Sequence, residues 1–349
     1  MLNEQAIIAS ISEHFKVPPG TIGPFEFNDE VCEKKAMFLV DSRPYMLTVR
    51  PCALHIDEKL TRSEKERLKN QYELLKYIDE CFRIPVPEAI MYRHDAAVGA
   101  EWMVRSHIPG RPLPEVWVNM TSEEKRKVCI RIGEIWATLL SKRWRNDGIR
   151  WACDYDSSKG GLLPLESLPE RGTGRWSSIG DMDFLVQTAT VRRKIDGVWT
   201  PVAPHERADV GAVVSRIRTA PILASDHLRA IRNFAIEHPE FRPDVILVDS
   251  SDYSKVTGVV GWEYHYMVPV YALRFWFFKD RNRFGGYAVD VLNVLIMRVV
   301  YENLPELRLL TSTDAVPLFH LYNLALRSRN WRKLGLNINS GSYIVNKQK

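Results

Sequence analysis

The chain has 349 residues, 45% of them hydrophobic, with a formal net charge of +5. That length builds a sizeable core divided between two lobes. The charge is modest, and its densest basic stretches (143–150, 192–194 and 327–333) come with no nucleic-acid-binding motif, so solvated faces account for them and nucleic acid is not an expected partner. The five cysteines, Cys32, Cys52, Cys81, Cys129 and Cys153, are widely spaced and include no Cys-x-x-Cys pair. Free thiols in a reducing compartment are the simple expectation.

Residues 1–16 place Leu2, Ile7, Ile8, Ile11 and Phe15 at helical spacing beside Glu4 and Glu13. This predicts an amphipathic helix and not a signal peptide. Residues 35–49 read as two strands around an Asp41-Ser42-Arg43-Pro44 turn. A long helix follows from a Thr61 cap to Cys81, then a hairpin over 89–103. Pro109-Gly110 marks a hinge within 105–111. Val128, Ile132, Ile135, Leu139 and Leu140 predict a helix over 123–143.

Residues 154–181, rich in Gly, Ser and Pro, read as an irregular insertion or lid, and 184–200 as either an extra hairpin or a distorted helix. Residues 229–236 lead into a polar loop with two prolines, 238–244. Residues 245–249 and 256–260 then form a hairpin around a polar turn, an arrangement that holds loop ends rigidly. Helices are predicted over 290–303 and 315–327. The apolar stretch 289–300 is broken by Asp290, Asn293 and Arg298 and is too short to span a bilayer. No membrane association and a cytoplasmic location are expected. No internal repeat is visible.

The loop and hairpin carry a resemblance. His238-Pro239-Glu240-Phe241, Ile246-Leu247-Val248-Asp249 and Gly258-Val259-Val260-Gly261-Trp262-Glu263 follow one another without insertions. They resemble the aminoglycoside phosphotransferase and choline-kinase-like family, whose pattern runs His-x-Asp, four residues, Asn-Ile-Leu-Val-Asp, then Ile-Asp-Trp-Glu. The His-Pro-x-Phe variant looks like the family's fungal branch. Glu101 to Val104, Ile108-Pro109-Gly110-Arg111-Pro112-Leu113 and Ile84-Pro85-Val86-Pro87 resemble its hinge and the approach to it. The likeness runs from about Gly20 to Phe275 and is weakest over 151–222. It implies an α+β, protein-kinase-like two-lobe fold. A small β-rich lobe would cover 1–104 and a larger, mainly helical lobe 105–349, with the catalytic loop at 238–249 and the metal-motif hairpin at 245–263.

The departures from that pattern bear on function. The family's catalytic Asp is Glu240, one methylene longer, and small misplacements of a reacting group are costly. Its metal-binding Asn is Val245 and its main metal-binding Asp is Gly261, so both protein ligands for magnesium are missing at those positions. The basic residue that meets phosphates is Thr48. Arg50, two residues on and on the same side of the strand, is the candidate replacement. The Glu that would pair with that base is Gln71. Tyr264 and His265 are bulky where the family has small residues.

Three readings follow. In the first, the cleft is repurposed for acid/base chemistry on a small molecule, within natural-product biosynthesis if the fungal likeness holds. Glu240, His238 and Glu263 are then the candidate catalytic residues, and Arg50, Thr48, Gln71, Val245, Gly261, Trp262, Tyr264 and His265 line the cleft. A carboxyl without a cation in that apolar setting would have a raised pKa suited to proton transfer. In the second, the chain is a noncatalytic pseudokinase that binds a ligand or partner, with His238 and Glu263 as structural loop residues. In the third it is a divergent small-molecule kinase, the only reading that calls for ATP and magnesium. No resident metal is expected. Of the aromatic residues, Trp117, Trp136, Trp144, Trp151, Trp176, Tyr271, Phe275, Trp276, Phe277 and Phe278, most are expected in the core and some in a ligand pocket.

Overall fold

The computed structural model describes residues 2–28, 33–51, 67–95, 98–142, 182, 184–186, 188–189, 210–238, 241–263, 266–273, 277–278, 281–285 and 288–326. The expected Thr61 cap, the 154–181 insertion, most of 184–200, and Glu240, Tyr264 and His265 lie outside them.

The N-terminal helix α1 (Glu4–Phe15) starts at Asn3, whose side chain accepts from the Ala6 amide and satisfies one of the open donors of the first turn. It ends at Lys16, which turns left-handed. Strands β1 (Glu26–Asn28), β2 (Lys34–Val40) and β3 (Arg43–Pro51) follow. Asp41 and Ser42 both have positive φ, 48° and 65°, the backbone of a two-residue hairpin whose twist matches that of its strands. The tightness of this turn fixes the register, so that Lys35 stands opposite Thr48.

Helix α2 (Arg67–Phe82) leads to β4 (Ala89–Asp95) and β5 (Ala100–Ser106). The five strands form one antiparallel sheet in the order β1-β2-β3-β5-β4. β5 runs through Ser106, just past the lobe boundary expected at 104. Its two faces follow from the period of two along a strand. Phe38, Val40, Leu47, Val49, Trp102 and Val104 point one way and bury against Ile7 and Ile11 of α1. Each such side chain contributes about 1.5–3 kcal/mol of burial. Lys35, Thr48, Arg50, Glu101, Met103 and Arg105, cross-strand partners or two-residue neighbours, point the other way.

The second lobe begins with the short strand β6 (Arg111–Pro112) and the long helix α3 (Ser122–Ser141). Thr121 caps α3 with a reciprocal box: its side chain accepts from the Glu124 amide and the Glu124 carboxylate accepts from the Thr121 amide. Then come α4 (Val210–Arg218), β7 (Phe234–Glu237), β8 (Ile246–Val248), β9 (Val256–Val259), β10 (Tyr266–Pro269), α5 (Ala288–Asn303) and α6 (Val316–Leu326). The described residues between 182 and 189 are helical and bury Phe184, Leu185 and Ala189, which favours the helix over the hairpin there.

α3 crosses α5 closely. A β-carbon on Gly133 would lie 2.7 Å from Val299 Cβ and 2.9 Å from the Ile296 carbonyl oxygen, so only glycine permits the contact. Trp117, Trp136, Tyr271, Phe277 and Phe278 are buried in this lobe's core. Trp144, Trp151, Trp176, Phe275 and Trp276 lie outside the described residues. Among the described residues no helix is long and apolar enough to cross a membrane.

Candidate functional site

β8 and β9 form the hairpin on which the site is built. β8 pairs β6 on one side and β9 on the other. The Val259 amide donates to the Pro85 carbonyl at 2.7 Å, which ties the hairpin to the segment ahead of β4. The hairpin turn is closed by its own carboxylates. Asp249 Oδ1 accepts from the Ser251 amide at 2.7 Å, the Ser251 hydroxyl at 2.6 Å and the Asp252 amide at 3.2 Å. These donors, the Ser251 hydroxyl first, hold the Asp249 carboxyl below its ordinary value. The Asp252 carboxylate does the same for Ser254. Both are turn formers.

The loop before the hairpin and the strand end after it meet at Val245. The Val260 amide donates to the Val245 carbonyl at 2.9 Å. Gly261 has φ +82°, a left-handed conformation, and a β-carbon there would lie 2.8 Å from Val245 Cγ1 and 3.5 Å from His238 Cε1. The valine side chain thus fills the space into which a side chain at 261 would project. His238, buried, approaches the Val260 carbonyl oxygen with Nε2 at 2.9 Å. A carbonyl only accepts, so Nε2 carries the proton. The imidazole lies 4.4 Å from the ring of Trp262, which is fully buried and donates its indole N–H to the Val259 carbonyl at 2.9 Å. Trp262 was expected at the cleft; its indole is fully buried in the core, where its N–H reaches the Val259 carbonyl.

Arg50, the sequence candidate for a phosphate-binding base, is engaged elsewhere. Its Nη1 donates to Glu101 Oε1 at 3.2 Å across the β3–β5 pair, and the Tyr92 hydroxyl donates to Glu101 Oε2 at 2.9 Å. Both Arg50 and Glu101 are buried. The β3–β5 register makes them direct neighbours, so the guanidinium meets Glu101 in the sheet. Thr48 and Gln71 are buried as well.

Two cations that sequence reasoning missed face the hairpin end. Lys35 Nζ and Arg105 Nη2 each lie 3.6 Å from Glu263 Oε1. Lys35 was legible by counting back across the two-residue turn, which puts it opposite Thr48. Arg105 was not, since its place depends on how β5 registers on β3. Burial pushes the Glu263 carboxyl up, but Arg105 and then Lys35 more than offset it and leave it below its ordinary value. The raised pKa was expected of a carboxyl without a cation, and Glu263 has two cations beside it. Glu263 also joins the hairpin to β2 and β5, and so ties the two lobes together.

No family model and no curated protein matches the chain. Solved structures do. A complex of APH(2")-IIa with streptomycin and ATP is 13% identical, with a TM-score of 0.51 over 93% of this chain and 91% of that one. The fold is the kinase-like, two-lobed one of that phosphotransferase. An aminoglycoside-3'-phosphotransferase of type VIII is 15% identical over 91% and 97% of the two chains, with a TM-score of 0.48. A putative aminoglycoside phosphotransferase from Ralstonia eutropha is 13% identical over 93% and 97%, also at 0.48.

Within this kinase-like fold the described residues do not fit a magnesium ion. Valine and glycine, which offer no side-chain oxygen, stand at 245 and 261. Asp249 is turned into its own hairpin. Asp244 lies between Arg283, at 2.9 Å, and Arg242, at 3.5 Å. No group of three His, Cys, Asp or Glu able to hold a metal is found among the described residues.

Proposed function

We propose that this chain keeps a kinase-like fold without magnesium-assisted phosphoryl transfer, and that its cleft binds a small molecule. The observation that carries this reading is the packing of Val245 against Gly261. Phosphoryl transfer depends on metal ions to neutralise developing charge, and here the two positions that resemble the ligand sites are an apolar side chain and the space it fills. The kinase-like fold, the β8–β9 hairpin and the polar sheet face support a cleft that still takes a ligand. A small molecule of a natural-product pathway fits the resemblance to the fungal branch.

Acid/base chemistry in this cleft rests on Glu240. Glu263 is held ionised between two cations, which does not suit it to give and take a proton near neutral pH.

Calorimetric titration with ATP, with and without magnesium, tests the proposal. Binding that magnesium does not strengthen supports it. Magnesium-dependent ATP binding, or ATP consumption that requires magnesium, overturns it. Once a substrate is in hand, the Glu240→Gln variant decides the acid/base component: unchanged turnover removes it.

A further inference from the structure

We infer that Arg105, on the cleft side of β5, is an anion-binding residue that with Lys35 receives the carboxylate or phosphate group of the small molecule in the cleft. This deepens the ligand-binding reading above and rests on it.

The Arg105 side chain is only 9% exposed. Its Nε and Nη1 are buried and have no hydrogen-bond partner. A buried guanidinium with unused donors is unfavourable unless something pairs with them. Glu263 supplies charge but not that pairing: at 3.6 Å it lies beyond hydrogen-bond distance, and it faces Nη2. The planar fork of a guanidinium matches a carboxylate or phosphate; a two-pronged contact here would pair Nη2 with either Nε or Nη1, so the anion would meet Arg105 on an edge that includes the nitrogen beside Glu263.

Lys35 brings a second cation to the same Glu263 oxygen and, at 22% exposed, is the more solvent-facing member of the pair. Among the described residues two cations therefore face one carboxylate here. Glu263 holds them in place and also repels an incoming anion. The cations stand on β2 and β5, not at position 48 of β3, so this is a different arrangement from the one that the family pattern implies.

The test titrates the full chain with inorganic phosphate, pyrophosphate and malonate by calorimetry, without magnesium. The wild type is expected to bind at least one of them. Arg105→Met should weaken that binding about tenfold or more, which corresponds to the loss of one charge-assisted contact. Arg105→Lys should recover only part of it, because an ammonium lacks the fork. Glu263→Gln, which removes the competing negative charge, should bind several-fold more tightly where the two cations keep their places.

Preference for malonate over the phosphates assigns a carboxylate ligand, and the reverse a phosphorylated one. Failure of all three probes to bind the wild type at about tens of millimolar overturns the inference, as does equal binding by wild type and Arg105→Met. If thermal melting shows Arg105→Met to be unfolded, Arg105→Lys and Glu263→Gln decide. The outcome is separable from the ATP experiment: magnesium-dependent ATP binding sinks the proposed function, whereas Arg105-independent anion binding sinks this inference alone.

Discussion

Val245 and Gly261 are complementary: the Cγ1 of the valine lies 2.8 Å from where a β-carbon on the glycine would sit. The two positions form one packing contact, so a side chain added at 261 has no room while the valine stays. Gly261→Asp should destabilise the protein twice over. A left-handed backbone costs a side-chain-bearing residue roughly 1–2 kcal/mol, and forcing atoms into an occupied space about 1–3 kcal/mol more. Adding Val245→Asn should return most of the steric part, giving a coupling energy of about 1 kcal/mol or more in a double-mutant cycle followed by urea denaturation. Strict additivity of the two changes would show that they do not meet.

Arg50 and Glu101 form a buried pair within the sheet, 3.2 Å apart, with Tyr92 donating to the second carboxylate oxygen. Breaking a buried pair from one side leaves a stranded charge and costs about 3–5 kcal/mol. Arg50→Met should therefore lower the thermal midpoint substantially, and Arg50→Met with Glu101→Gln should lie well above the single variant. Anion affinity, measured on whichever of these remains folded, should stay as in the wild type, because Arg50 is committed to the sheet. A matching drop in anion affinity would return Arg50 to the ligand site.

Elements with a local cause were legible in the sequence. The apolar spacing of Ile7 and Ile11 gave α1, the Asp41-Ser42 turn gave the first hairpin, and the polar turn after Asp249 gave β8 and β9. What could not be read was set by pairing across distance. Arg50 meets Glu101 because β3 neighbours β5, fifty-one positions on, and Arg105 comes to Glu263 because the hairpin end folds back under the sheet. Trp262 points inward because its indole finds the Val259 carbonyl, a preference that no periodicity reports. Side-chain type therefore told which residues were polar in this region, and the register told which of them were already spoken for.

Cys129 lies in the buried face of α3, and burial pushes its thiol up to about 12. The thiolate is the reactive form, so Cys129 should resist an alkylating reagent at neutral and mildly alkaline pH while the protein is folded and react once it is denatured. Cys81, half-buried at the end of α2 and raised first by burial, should react earlier but more slowly than an exposed thiol. Mass spectrometry after timed iodoacetamide labelling reads both. Rapid labelling of native Cys129 would mean that the α3 face opens far more readily than its packing implies.

Glu263 makes the stability of the two-lobe arrangement depend on pH. Its folded pKa lies below the ordinary 4.5, because Arg105 and Lys35 outweigh the burial that raises it. A carboxyl depressed on folding contributes stability that is complete above its unfolded value and is lost as pH falls through its folded value. The wild type should accordingly exceed Glu263→Gln in stability near neutral pH. The margin should be roughly 1–2 kcal/mol, between the limits for exposed and buried ion pairs, since the carboxylate is largely but not fully buried. That margin should hold down to about the ordinary value and then close on further acidification. Thermal melting of both proteins across the acid range measures it. A difference that stays constant through that range would mean the side chain acts by packing alone, and that the two cations do not owe their positions to its charge.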